Sequence, residues 1–199
     1  RSGRLAALDE DQCRAAEASG PLMVVAGPGS GKTRMLAHRI AHLVAERGVP
    51  AASCLAVTFT RRACEELRNR LARLLGRRAG AVAVHTFHSL GLAILRSHGA
   101  ALGLGPQFRV ADAADCAGLL AKDMGLKPGE AARLVRALSV ARRTGEIGDA
   151  RTAEALATLR RLGREHGFVD VDDLVALSAE LLETDAACAT AWRQRFAHI

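Results

Sequence analysis

Apolar positions in the first hundred residues alternate between two spacings. Leu22-Met23-Val24-Val25-Ala26, Cys54-Leu55-Ala56-Val57-Thr58 and Ala81-Val82-Ala83-Val84 are short continuous apolar runs, the pattern of strands buried on both faces. Around them apolar residues recur at helical spacing. Leu36, Ile40, Leu43 and Val44 line one face of a predicted helix from Thr33 to Arg47, which Gly48 stops. Asp9 to Ala18 reads as a helix with an acidic first turn. Arg62 to Leu75 reads as a charged amphipathic helix ended by Gly76, and Thr86 to His98 as a third helix of this part. The β-α-β-α-β-α order predicts an α/β fold with a mostly parallel sheet and right-handed crossovers.

The pattern changes after Gly99. Gly103 to Pro106 reads as a loop and Gln107 to Val110 as at most a short extended piece. From Ala113 onward only helices are predicted, over about 113–124, 129–143, 151–166, 171–183 and 185–196. Asp112 and Asp170 are candidate caps, and Gly125, Gly145 and Gly167 mark helix ends. The expectation is two domains, residues 1–99 and an all-helical subdomain at 100–199, with the boundary near 99–110.

Composition narrows the class. Hydrophobic residues make up 49% of the 199, enough for packed cores and against disorder. Aromatics are 3% with no Tyr, so those cores rest on Leu, Val, Ile and Ala. The net charge of +7 favours a polyanionic partner, nucleic acid first, and the Arg pairs 61–62, 77–78, 142–143 and 160–161 spread it along the chain. Five Cys with no C-x-x-C fit a reduced, cytoplasmic protein without a disulfide framework or zinc site. No apolar run is long enough to span a bilayer, and Arg1 to Glu10 lacks the apolar core of a signal peptide, so no membrane association is expected.

One segment carries clear chemistry. Ala26-Gly27-Pro28-Gly29-Ser30-Gly31-Lys32-Thr33 matches a relaxed phosphate-binding loop, between an apolar run and a predicted helix. Glycines let backbone N–H groups turn toward phosphates, and the following helix adds its positive end. Lys32 is placed to reach the β- and γ-phosphates of ATP, and the Thr33 hydroxyl to hold Mg²⁺. The loop alone leaves kinases, transporters, GTPases and helicases open.

Further segments carry a family resemblance. Leu8-Asp9-Glu10-Asp11-Gln12-Cys13-Arg14-Ala15-Ala16 resembles the Q motif of UvrD/Rep/PcrA-type superfamily 1 DNA helicases. Ala56-Val57-Thr58-Phe59-Thr60-Arg61-Arg62-Ala63 is similar to motif Ia, with Arg61-Arg62 where Asn-Lys is usual. His85-Thr86-Phe87-His88 resembles motif Ib, with His85 in place of a common Gly. Gly167 to Leu174 is similar to a segment that precedes motif II. The resemblance runs from about Leu8 to Ile199, and these motifs in this order are specific together.

The resemblance implies a RecA-like P-loop sheet, incomplete here, with an all-helical inserted subdomain whose last residues lead back to that sheet. It implies a parent ATP-dependent 3′–5′ DNA helicase acting on single-stranded DNA and its junctions with duplex, with DNA repair as its setting. Gln12 would read adenine; Ala26, Gly27, Gly29, Ser30, Gly31, Lys32, Thr33 and Arg34 would form the nucleotide site; Phe59, Thr60, Arg61, Thr86 and His88 would contact DNA. Read from the residues alone, Phe59 is either a base-stacking side chain or a core Phe at a strand end, and Asp170, Asp172 and Asp173 are capping residues rather than a catalytic cluster. His38 with His42 and His85 with His88 have ligand-like spacings but lack supporting Cys or carboxylates, so no metal is assigned to them.

In the family, R-F-x-x-I leads into motif II, D-E-x-Q-D. Arg195-Phe196-Ala197-His198-Ile199 matches the lead, and no D-E-x-Q occurs in the 199 residues. The sequence therefore reads as the first part of domain 1A plus the insertion 1B, expected to hold nucleotide with little turnover by itself. Two other readings stay open: a non-catalytic module that binds ATP and DNA, and a P-loop kinase for a small molecule. The second leaves the Q, TFT and TFH segments unexplained.

Overall fold

Helix ends fall where the sequence supplies a cap. The computed structural model describes residues 3, 5–146 and 148–199. Along them run α1 (Glu10–Glu17), α2 (Lys32–Ala45), β1 (Leu55–Thr58), α3 (Arg61–Leu75), β2 (Ala83–Thr86), α4 (Phe87–His98), β3 (Arg109–Ala111), α5 (Ala113–Asp123), α6 (Pro128–Thr144), α7 (Ala150–His166), β4 (Phe168–Asp170), α8 (Val171–Thr184) and α9 (Ala186–Arg195). Asp9 caps α1 by accepting from the Gln12 N–H at 2.8 Å. Gly145 and Gly167 take left-handed φ angles of 77° and 66° just past α6 and α7. The described residues form a mostly helical α/β structure with two short parallel sheets of two strands each.

The chain divides into two compact units. One runs up to Thr86 and takes in Trp192–Ile199; the other is Phe87–Ala191.

In the first unit β1 and β2 pair in parallel, Leu55 opposite Ala83 through Thr58 opposite Thr86. Helix α3 is the crossover between them. Its apolar stripe of Cys64, Leu67, Leu71 and Leu75 is buried against Ala37, Ile40, Ala41 and Val44 of α2 and against Ala56 and Val84 of the strands. On the opposite edge of β1, the Leu55 N–H donates to the His198 carbonyl at 2.8 Å and the His198 N–H to the Ser53 carbonyl at 3.2 Å. His198 thus forms a parallel bridge with Cys54.

The predicted strand at Leu22–Ala26 is not formed; these residues are irregular and exposed, Val25 by 91%. A strand is stabilised by a neighbour's N–H and C=O groups. The sheet of this unit consists of β1 and β2, and no described strand lies beside residues 22–26.

The second unit holds the other correction. Helices were predicted alone after Ala113, yet Phe168–Asp170 forms β4 and pairs in parallel with β3, Arg109 opposite Phe168. Three residues between two helices show no alternation, and their partner lies beyond three intervening helices, so no local pattern announces the strand. Ala111, Cys116, Leu120, Ala131, Leu138, Leu159 and Phe168 form the core here. Helix α4 approaches α8 closely at Gly91, where a Cβ would overlap the Leu174 backbone carbonyl.

Asp170 does cap α8: its Oδ1 accepts from the N–H groups of Asp172 and Asp173 at 2.8 and 3.1 Å. It also meets a partner that the sequence did not announce. Arg142 Nη2 of α6 lies 2.6 Å from Asp170 Oδ2 and 3.1 Å from Asp173 Oδ2, with all three side chains nearly buried. Arg160 of α7 adds a 3.4 Å contact to Asp173. Burial and the neighbouring Asp173 push the Asp170 carboxyl above its usual range, against the pull of Arg142. The network ties α6 and α7 to the start of α8.

Two measurements check this packing. Gly91→Ala is expected to destabilise the chain by about 1–3 kcal/mol, whereas Gly118→Ala in α5, whose Cβ meets nothing within 4 Å, is neutral or stabilising by about 0.4–1 kcal/mol; urea midpoints read both. Arg142→Met leaves the buried Asp170 without a cation and Asp173 with Arg160 alone, and is expected to cost about 3–5 kcal/mol near neutral pH. Folded-state protonation of Asp170 relieves the unpaired charge, so that loss shrinks as pH falls toward the carboxylate range, read from midpoints at pH 7 and about pH 5.

Candidate functional site

The glycine loop sits where its sequence places it, at the start of α2. Gly29 and Gly31 adopt φ angles of 75° and 81°, left-handed values that favour glycine. Gly31 is the N-cap of α2, no side chain caps the helix, and its first turn holds no acid. Its first N–H groups therefore keep their positive end without a charge partner from the helix itself, as an anion site requires. Ala26, Gly27, Gly29, Ser30, Gly31 and Lys32 share this one turn. Lys32 Nζ curls back to donate to the carbonyls of Ala26 at 2.7 Å and Gly27 at 2.5 Å. Ser30 Oγ donates to the Gly27 carbonyl at 2.7 Å. Thr33 follows as the second residue of α2, half-buried.

Gln12 and Arg34 come to the same place from different elements. Gln12 Nε2 donates to the Ser30 carbonyl at 2.9 Å, and Arg34 Nη2 donates to Gln12 Oε1 at 3.2 Å. Helix α1 is fixed beneath them by Arg39 of α2, whose guanidinium donates to the carbonyls of Ala15 at 2.7 Å, Ala18 at 2.8 Å and Gly20 at 3.2 Å. Sequence reading missed Arg39, because a side chain that serves backbone carbonyls leaves no motif.

Within the first unit, Phe59, Thr60, Arg61 and Thr86, expected to touch nucleic acid, lie at or just after the carboxyl ends of β1 and β2. Thr58 and Thr86 are register partners. Phe59 follows β1 and is 88% exposed, which removes the core alternative for it. Thr60 caps α3, its Oγ1 accepting from the Ala63 N–H at 3.1 Å. Arg61 is exposed in the first turn of α3, while Thr86 is buried at the end of β2 rather than opening a helix. His88 stands exposed in the first turn of α4, in the other unit.

Two arginines, Arg68 and Arg195, act electrostatically on His85 of β2. Arg68 donates to the Val84 carbonyl. Arg195 lies over the rings of Trp192 and Phe196, at 5.5 and 5.0 Å from their centroids. Burial first, then Arg68 and Arg195, lower the pKa of His85 below the usual imidazole value, so it is neutral at physiological pH.

His42 Nδ1 pairs with Glu46 at 3.0 Å. Among the described residues no group of three or more His, Cys, Asp or Glu is arranged to hold a metal ion. All five Cys are buried free thiols, with Cys116 pushed up to about 12, chiefly by burial. Among the described residues no helix is long and apolar enough to cross a membrane.

The family model for the UvrD/REP helicase N-terminal domain matches residues 8–199. The ATP-dependent DNA helicase UvrD1 of Mycobacterium leprae is 37% identical over 201 residues, which cover 90% of this chain and 26% of that protein. The ATP-dependent DNA helicase PcrA of Bacillus subtilis is 45% identical over 96 residues, 48% of this chain and 13% of that protein. PcrA of Leuconostoc citreum is 50% identical over 94 residues, 47% of this chain and 13% of that protein. The chain thus spans a minor part of the length of these relatives. With a glycine loop on an uncapped helix, a Gln seated against it, and a family match from residue 8 to 199, the chain belongs to the UvrD/REP helicase N-terminal domain family.

Proposed function

We propose that the chain is the ATP- and single-stranded-DNA-binding part of an ATP-dependent 3′–5′ DNA helicase that couples hydrolysis to translocation and unwinding, in DNA repair. The observation that carries this reading is the uncapped, acid-free N-terminus of α2 behind the left-handed glycines Gly29 and Gly31. Such an end fits a polyphosphate. Lys32, which donates to the Ala26 and Gly27 carbonyls, would turn to the β- and γ-phosphates, and the Thr33 hydroxyl would hold Mg²⁺, which would screen phosphate charge. Gln12 reads the adenine edge with its amide, and Arg34 supports that side of the site.

Residues 1–99 are assigned to the first part of a RecA-like domain and 100–199 to its helical insertion. The His198 bridge to Cys54 supports the view that the last residues return to the sheet. In this reading Leu22–Ala26 becomes a strand once a neighbour lies beside it. Exposed Phe59 stacks on a base, Arg61 holds a phosphate, and Thr60, Thr86 and His88 add polar contacts to the DNA backbone.

ATP binding and hydrolysis, with and without single-stranded DNA, beside Lys32→Ala, test the core of the reading. ATP binding is expected to fall about ten- to a hundredfold in the variant. Turnover that rises with DNA and vanishes in the variant marks a motor; binding without turnover in either protein marks a module that only binds. If the variant binds ATP as well as the parent, the phosphate-loop assignment is wrong.

The DNA contacts separate by salt. Arg61→Ala should lower the slope of log affinity against log salt by about 0.7, the effect of one single-strand phosphate contact. Phe59→Ala should weaken binding by about 1–3 kcal/mol with the slope unchanged. Titrations of a labelled oligonucleotide at several salt concentrations read both.

A further inference from the structure

In the second unit an open groove of about 510 Å³ lies between the first half of α6 and the start of α7. Leu134, Ala137 and Ala150 give it an apolar lining. Val140, one turn beyond Ala137 on the same side of α6, is 50% exposed and lengthens that apolar strip.

Arg133 and Arg151 flank the lining, and both are exposed. Among the described residues neither guanidinium makes a hydrogen bond or a salt bridge; Arg151 feels Asp149 only through space. The two carboxylates of the groove are already committed to the backbone. Glu130 accepts from the Lys127 N–H at 3.1 Å, and Asp149 from the Thr152 N–H at 2.7 Å. Those acids close the starts of α6 and α7 and leave the arginines to an outside partner. Arg136, exposed one turn from Arg133, extends the cationic side of α6.

Free cations beside an apolar strip select among polyanions. A nucleic-acid backbone could use the arginines but has nothing to bury on Leu134, Ala137 and Val140. A peptide that carries apolar side chains on one face and carboxylates beside them uses both features, and a guanidinium fork suits a carboxylate. We propose that this groove is a docking surface for an acidic amphipathic segment of a partner protein, with its apolar side chains on Leu134, Ala137 and Val140 and its carboxylates on Arg133 and Arg151.

The test is fluorescence anisotropy of the whole chain with three labelled probes: a helical peptide with Leu at i, i+3, i+4 and i+7 and Glu on the flanks, the same peptide with Gln for Glu, and a DNA duplex. Arg133→Ala with Arg151→Ala is expected to weaken the acidic peptide about three- to tenfold, the effect of losing two exposed ion pairs, down to the affinity of the Gln peptide. Ala137→Gln sets a polar side chain over the apolar strip without changing charge; it is expected to weaken the acidic peptide by a similar factor and to leave the duplex unchanged. Arg73→Ala with Arg77→Ala removes the same charge from the first unit and is expected to change nothing for the peptide. An equal loss in that control, or equal affinity for the Glu and Gln peptides, overturns the proposal. A duplex that needs Arg133 and Arg151 while the acidic peptide does not bind assigns the groove to nucleic acid and overturns it too. So does a dimer, read by sedimentation velocity, that Ala137→Gln abolishes, since the occupant is then a second copy. Should a variant melt below the parent, amide shifts in the parent decide: peptide-induced shifts at 133–140 and 150–152 support the groove, and shifts only elsewhere overturn it.

Discussion

Helix α2 has to satisfy two demands at opposite ends of its physics. Along its length Ala37, Ile40, Ala41 and Val44 must be out of water, since they face α3 and the strands. At its first turn the N–H groups must stay open, since no side chain caps them. A side chain at position 31 would have to take a left-handed φ of 81° and would place its Cβ 3.0 Å from Gln12 Nε2, so no capping Ser or Asp closes the anion site there. Glycine leaves that end bare. The stability given up there is recovered from the packed face, which is where most helical stability in proteins comes from.

The rest of the first unit supports that open end. Arg39 points from α2 to the carbonyls that end α1 and begin the loop segment. Gln12, on the same α1, reaches the loop from the other side. One helix thus carries the loop at its N-terminus and, two turns later, anchors the element that braces it. The strand ends that bear Phe59 and Thr86 belong to the same core through α3.

Much of this was legible in the sequence, and the exceptions share a cause. Helix positions, the glycine loop and the capping role of Asp170 follow from residues within a few positions of each other. What could not be read depends on partners far along the chain. Leu22–Ala26 has the composition of a strand but lacks a described neighbour. Phe168–Asp170 has a neighbour but is too short to show a period. Arg142 read only as half of a basic pair and is nearly buried against Asp170 and Asp173. The Gln12 contact was half visible: its place before the loop pointed to the nucleotide site, but its bond to a backbone carbonyl has no residue type to announce it.

The pairing of β3 with β4 also bears on how the second unit forms. Residues 109–111 leave the ribosome long before 168–170, with α5, α6 and α7 made in between. Closing so long a loop costs chain entropy that only the finished contacts repay. Helices α5, α6 and α7 are free to form and pack on one another first; the short sheet, like the packing of α8 on α4, can close only after Phe168 has emerged. During synthesis this unit therefore passes through an interval in which its apolar helices exist without the strand pair that fixes their arrangement, and in that interval the nascent chain is most open to misassembly.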